Sequence, residues 1–170
     1  MTSPAAGRDL SEHPAVARVL SALDAAALTP TVRYLPDAVR TAAAAAQALG
    51  ITPAEIANSL VFAATGADGR VSPLLVLASG GHRVDLVKVA DLAGYATIGR
   101  ADPQFVRDTT GFAIGGVAPV GHLTPIRTIV DVSLDRFDTV WAAAGHSHAV
   151  FETSYAELLR ITAGQPMEVA

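Results

Sequence analysis

Residues 58–77 read Asn-Ser-Leu-Val-Phe-Ala-Ala-Thr-Gly-Ala-Asp-Gly-Arg-Val-Ser-Pro-Leu-Leu-Val-Leu. Asn58 to Ala64 is a mostly apolar run that fits a buried strand, and Ser72 to Leu77 is a second one. Gly66-Ala67-Asp68-Gly69 between them supplies turn residues, so the two runs predict a hairpin. Upstream, Thr52, Pro53 and Glu55 have the pattern of a capping box with a first-turn proline, and predict a short helical turn leading into the hairpin. The alanine block predicts a helix over Ala38 to Leu49, stopped by Gly50, and Thr31 to Leu35 reads as a short strand before it. Val16, Val19, Leu20 and Leu23 recur at helical spacing and predict an opening amphipathic helix over Pro14 to Leu23.

Downstream of the hairpin, Asp85 caps a helix ended by Gly94, and Asp102-Pro103 opens another that closes at Gly111. Short strands follow at Ala96 to Gly99, Arg127 to Asp131, Val140 to Ala143 and Ala149 to Glu152, and a last helix starts at Thr153 or Ser154. Hairpins among irregularly alternating short elements fit a regular doubly wound parallel sheet poorly. The expected class is therefore α/β of the α+β kind, a mixed, curved β-sheet or barrel flanked by helices. No repeat or break in composition divides the chain, so one domain over 1–170 is expected, with segment 1–27 packed on a 28–170 core.

At 170 residues, 51% apolar and 16% charged, the chain has enough greasy surface for a filled core. Without cysteine there is no disulfide framework, thiolate metal site or cysteine nucleophile. Met1 to Gly7 has no targeting pattern, and no apolar stretch is long enough for a membrane span, which leaves a cytoplasmic location as the expectation. The net charge of −4, with scattered Arg and Lys, argues against gripping DNA and limits any RNA contact to a short piece. The same acidity also serves solubility alone.

The chemistry-bearing candidate is Thr-Gly-Phe-Ala-Ile-Gly-Gly-Val-Ala-Pro-Val-Gly, residues 110–121. Paired glycines let a ligand approach the backbone and Pro119 stiffens the loop, although glycines alone also suit an ordinary tight connection. The spacings of dinucleotide-binding and phosphate-loop motifs are absent, as is a GxSxG elbow. His146 and His148, two apart on a strand, would share a face, but no third ligand is near in sequence, so neither metal nor cofactor is expected. His13 and His82 read as surface residues, and so does Lys88, the only lysine.

Four motifs in series carry a resemblance: Ile56-Ala57-Asn58-Ser59-Leu60-Val61-Phe62, Val84 to Ala90, Thr110-Gly111 with Gly115 to Gly121, and Ile129-Val130-Asp131. In order and spacing they resemble the YbaK family, which includes the editing domain inserted in bacterial prolyl-tRNA synthetases. The resemblance implies a mixed-sheet fold and hydrolysis of the ester that joins a wrong amino acid to the 3′ end of a tRNA. It also implies a water nucleophile, positioned by main-chain groups of the Gly115 to Pro119 loop. Asn58, Gly115, Gly116 and Asp131 are the implied catalytic set. Tyr34, Ser59, Phe62, Val117, Ala118, Pro119 and His148 are the implied substrate contacts, with His122 a further candidate to face the tRNA end. At the family's lysine position this chain has Asn58, so lysine-dependent chemistry does not carry over. Two other readings stay open: a module that binds a tRNA end or aminoacyl ligand without cleaving it, and a hydrolase of another small ester or amide.

Overall fold

The computed structural model describes residues 6–170. Among these residues five α-helices flank two sheets. The helices are α1 (Pro14–Ala25), α2 (Ala42–Leu49), α3 (Leu86–Ala93), α4 (Pro103–Thr110) and α5 (Tyr155–Thr162). The strands are β1 (Val32–Tyr34), β2 (Ala57–Thr65), β3 (Val71–Ser79), β4 (Thr97–Arg100), β5 (Arg127–Asp131), β6 (Val140–His146), β7 (Ala149–Thr153) and β8 (Gln165–Met167). The larger sheet runs β4-β2-β3-β5-β8 and the smaller β1-β7-β6, so the mixed sheet does not close into a barrel. The expected hairpin is β2–β3, paired antiparallel from Ala57↔Ser79 to Thr65↔Val71. β5 lies parallel to β3 on its other side, and a single parallel bridge, Ile56↔Trp141, joins the two sheets.

β3 is the buried centre, since Leu74, Leu75, Val76 and Leu77 are all fully covered. A strand sealed on both faces reads as a continuous apolar run instead of an alternating one. Leu75 and Leu77 face a cluster shared with α1 (Val16, Val19, Leu23) and the smaller sheet (Ala142, Phe151). Leu74 and Val76 face Val89 and Ala90 of α3, together with Met167 and Val169.

Local rules set most helix ends. Asp85, Asp102 and Ser154 cap α3, α4 and α5 through the backbone N–H groups of Lys88, Phe105 and Glu157. The alanine helix starts at Ala42 rather than Ala38, because Thr41 accepts from the Ala44 N–H and fixes the first turn there. β8 was not expected: it pairs parallel to β5, a tertiary contact that Gln165-Pro166-Met167 does not announce. Among the described residues no helix is long and apolar enough to cross a membrane.

Leu77 sits at 0% exposure between the two sheets. Leu77→Ala should lower unfolding stability by about 2–5 kcal/mol, read as a reduced urea midpoint at unchanged slope.

Candidate functional site

One arginine fixes the glycine loop. α4 ends at Gly111, and Arg18 of α1 donates from Nη2 to Gly111 O (3.0 Å) and from Nε to Gly121 O (2.8 Å). Its guanidinium also lies 4.6 Å from the centroid of the Phe112 ring. Both ends of the loop are thus tied to the same side chain. Between them, Gly115 has φ +94°, and a Cβ there would come within 2.9 Å of Arg40 Cγ. Side chains rarely adopt that backbone angle, so glycine is required on two counts. Gly116 also lies close to the His146 backbone, 3.1 Å from a built Cβ. His122 donates from Nε2 to Ala118 O (2.7 Å), bracing the loop from its inner side. Burial pulls the His122 pKa below its usual 6.5, and the nearby Arg18 charge acts in the same direction against the bond to Ala118.

Two cavities open against this loop. The smaller, about 220 Å³, lies between the start of α2, the start of β2 and β6, with Ala42, Ala45, Ile56, Trp141, Ala142 and Ala143 among its walls. The larger, about 510 Å³, runs along β2 toward Arg100 and the residues that follow β3. Ser59, Leu60, Ile114, Gly115 and Val117 line both. The Ser59 Oγ is buried and, among the described residues, is the one such side-chain oxygen or nitrogen with no hydrogen-bond partner. Buried hydroxyls normally find a partner, so Ser59 Oγ leaves hydrogen-bonding capacity free at the wall shared by the two cavities.

Their arginines make both linings cationic although the chain is acidic. Arg40 and His146 border the smaller cavity, His82, Arg83 and Arg100 the larger, and neither lining contains Asp or Glu. Desolvation holds the His146 pKa low, helped by Coulombic repulsion between its charged form and the neighbouring His13, His148 and Arg40. Among the described residues no group of three or more His, Asp or Glu is arranged to hold a metal ion.

The expected residues divide. Asn58, Ser59, Gly115 and Val117 meet at the smaller cavity, and Phe62 lines the larger. Strand alternation puts Ser59 on the face of Ala57 and Val61, and Asn58 on the opposite face with Leu60 and Phe62. The others lie elsewhere. Gly116 is buried and its N–H donates to Ala113 O (3.0 Å), so that amide is not free for a substrate. Ala118 is fully buried, and Pro119 lines a separate hollow beside His122. Tyr34 on β1 packs half-buried against the core. His148 is turned away, donating from Nδ1 to Leu35 O (2.8 Å), while a bulge at Gly145 (φ +98°) brings His146 to the cavity instead. Asp131, 1% exposed, lines neither cavity and caps the turn after β5. Arg40, Arg83, Arg100, Trp141 and His82 were not singled out for the site from sequence, because isolated residues far apart in the chain carry no local signal.

The family model of the aminoacyl-tRNA editing domain matches residues 36–161. A solved structure described as that of a candidate trans-editing enzyme for prolyl-tRNA synthetase superposes with a TM-score of 0.82 at 41% identity, over 92% of this chain and 96% of the other. Uncharacterised YwhH of Bacillus subtilis (strain 168) is 33% identical over 114 residues, 67% of this chain and 69% of its own length. EbsC of Enterococcus faecalis, named as a candidate Cys-tRNA(Pro)/Cys-tRNA(Cys) deacylase, is 24% identical over 124 residues, 73% of each chain.

Gly115→Ala should destabilise the fold by about 1–3 kcal/mol through its positive φ and the Arg40 contact. Gly99→Ala, which meets nothing within 4 Å, should change urea unfolding little. His122 gives a pH dependence. Between its depressed folded pKa and the usual 6.5 the unfolded chain binds more protons, so its stabilisation is complete above about 6.5 and is lost as pH falls below. Thermal melts should show this acid-side slope flattened in His122→Gln.

Proposed function

This chain belongs to the family of aminoacyl-tRNA editing domains, and from that premise we propose that it hydrolyses the ester between a mismatched amino acid and the 3′-terminal ribose of a tRNA. The observation that carries the reading is the orphan Ser59 Oγ at the wall shared by two cavities of unequal size. An aminoacylated nucleotide has two such parts joined at the ester. The smaller cavity, walled by alanines, Ile56 and Trp141, takes the amino-acid side chain and selects chiefly by size. In the larger one Arg83 and Arg100 meet the terminal nucleotide and its phosphate. Relatives named for deacylation and for trans-editing support the assignment.

Water is the nucleophile. The N–H groups of Gly115 and Val117 donate to no other backbone group among the described residues, so they are the free donors for the oxyanion that forms at the ester carbonyl. They replace Gly116 in the expected set. Asn58 contributes neutral amide donors and an acceptor to the same cavity. Arg18 keeps the loop in place through its bonds to Gly111 and Gly121.

A panel of mischarged tRNAs tests the reading. Release of free amino acid from at least one, with small aliphatic residues preferred, is the expected result; binding without release would make this a tRNA-end binding module, and cleavage of free amino-acid esters in preference to tRNA would make it another esterase. Arg83→Ala and Arg100→Ala should raise KM while leaving kcat within a few-fold. Each should also flatten the log–log salt dependence of tRNA binding by about 0.7 for a single-stranded phosphate contact.

A further inference from the structure

We infer that His82 is the proton-transfer residue of this site and that Asp131 positions it, an inference that rests on the deacylase reading. β3 and β5 run parallel, so Ser79 and Asp131 lie together at the carboxyl ends of adjacent strands, the place where open sheets bind ligands. After β3 the chain turns sharply. A Cβ on Gly80 would strike Pro53 O and Ala42 Cβ, and the His82 N–H donates to Ser79 O (2.9 Å). That turn lays the His82 ring against Asp131, with Nδ1 at 3.0 Å from Oδ2.

The carboxylate is held from behind. Its Oδ1 accepts from the Ser133 N–H (2.9 Å) and its Oδ2 from the Ser79 N–H (3.0 Å), so two main-chain donors fix the plane in which it meets the ring. An ionised carboxylate only accepts, so the bond to His82 requires the proton on Nδ1, and the neutral ring keeps its lone pair on Nε2. Ser133 Oγ, 3.4 Å from Nδ1, stands on the same side. Asp131 is 1% exposed and His82 32%, and His82 lines the larger cavity together with Ser59, Gly115, Arg83 and Arg100. The carboxylate therefore acts through the ring, and the ring faces the ligand space.

Nε2 takes a proton from water as the water oxygen bonds to the ester carbonyl carbon, and the C=O electron pair moves to the carbonyl oxygen beside the loop amides. On collapse the bond from the carbonyl carbon to the ribose 3′ oxygen breaks, and that oxygen takes the proton from Nε2. The products are the tRNA 3′ hydroxyl and an amino acid whose carboxyl group releases one proton to solvent. His82 ends neutral.

The experiment compares wild type, His82→Ala and His82→Gln on the mischarged tRNA that the wild type cleaves best. Positioned acid–base groups contribute about 10²- to 10⁴-fold, so both variants should lose that much kcat with KM within about threefold while staying folded at the assay temperature by circular dichroism, and added imidazole should restore turnover to His82→Ala. A His82→Gln rate within about threefold of wild type, or failure of imidazole to rescue His82→Ala, overturns the role of His82 while leaving the deacylase reading intact. A wild type that cleaves nothing on the panel overturns both. Asp131 is read separately by ¹⁵N NMR of wild-type His82: the Nδ1-protonated tautomer is expected, and the Nε2-protonated one overturns the positioning role whatever the behaviour of Asp131→Asn.

Discussion

Everything in this fold is arranged around a stretch of one strand that no water reaches. Leu74 to Leu77 of β3 are sealed on both faces, by α3 on one and by the smaller sheet and α1 on the other. Burying apolar surface at about 25 cal/mol per Å² makes such a strand the strongest single reason for the layers to assemble. The same burial creates a polar problem where the strand ends. β5 pairs with β3 only as far as Leu77↔Val130, so the Ser79 N–H needs another acceptor in the dry interior and finds the Asp131 carboxylate. A charge buried for that reason needs further donors, and it takes them from Ser133 and His82. Core packing and the candidate chemistry thus meet at one carboxylate.

How much of this could be read from the sequence follows from the range of each interaction. The hairpin turn and the caps at Asp85, Asp102 and Ser154 are satisfied within four residues, so they are legible. Thr41 overrode the alanine pattern because a capping hydroxyl marks a start that repeated alanine cannot. β8 is held by pairing to a strand more than thirty residues earlier and by packing of Met167 in the core, and nothing local reports either. In the site, Asn58, Ser59, Gly115 and Val117 were legible because motif order brought them together before any geometry did. Tyr34, Ala118, Pro119 and His148 lie off both cavities because near neighbours took up their surfaces: the core, the loop interior and the Leu35 carbonyl. Asp131 was chosen for the right strand end but stands behind the cavity, with a histidine between.

Net charge is a poor guide to this site. The chain carries −4 overall, yet the linings of the two cavities hold arginines and histidines and no carboxylate. Field inside a concave, partly dry cleft is set by the nearest groups, and a few fixed cations there outweigh distant acids. Only a short anionic stretch can benefit, since beyond about 8 Å at physiological salt the surrounding acidity is screened and offers nothing to a longer phosphate backbone. A cationic cleft on an acidic protein suits the end of a nucleic acid far better than its length.

The asparagine at position 58 has to be weighed within the same geometry. Asn58 and Ser59 are adjacent in sequence and both border the smaller cavity, although strand alternation sets their side chains on opposite faces of β2. What Asn58 lacks is a positive charge, and the smaller cavity has one in Arg40, whose stem lies against Gly115. Guanidinium keeps its charge at any working pH and is less costly to desolvate than ammonium, so a cation fixed beside the loop can serve the carbonyl end of a substrate without a lysine on the strand. Arg40 stays there only while position 115 has no side chain, which ties the electrostatics of the cavity to the same glycine that shapes the loop.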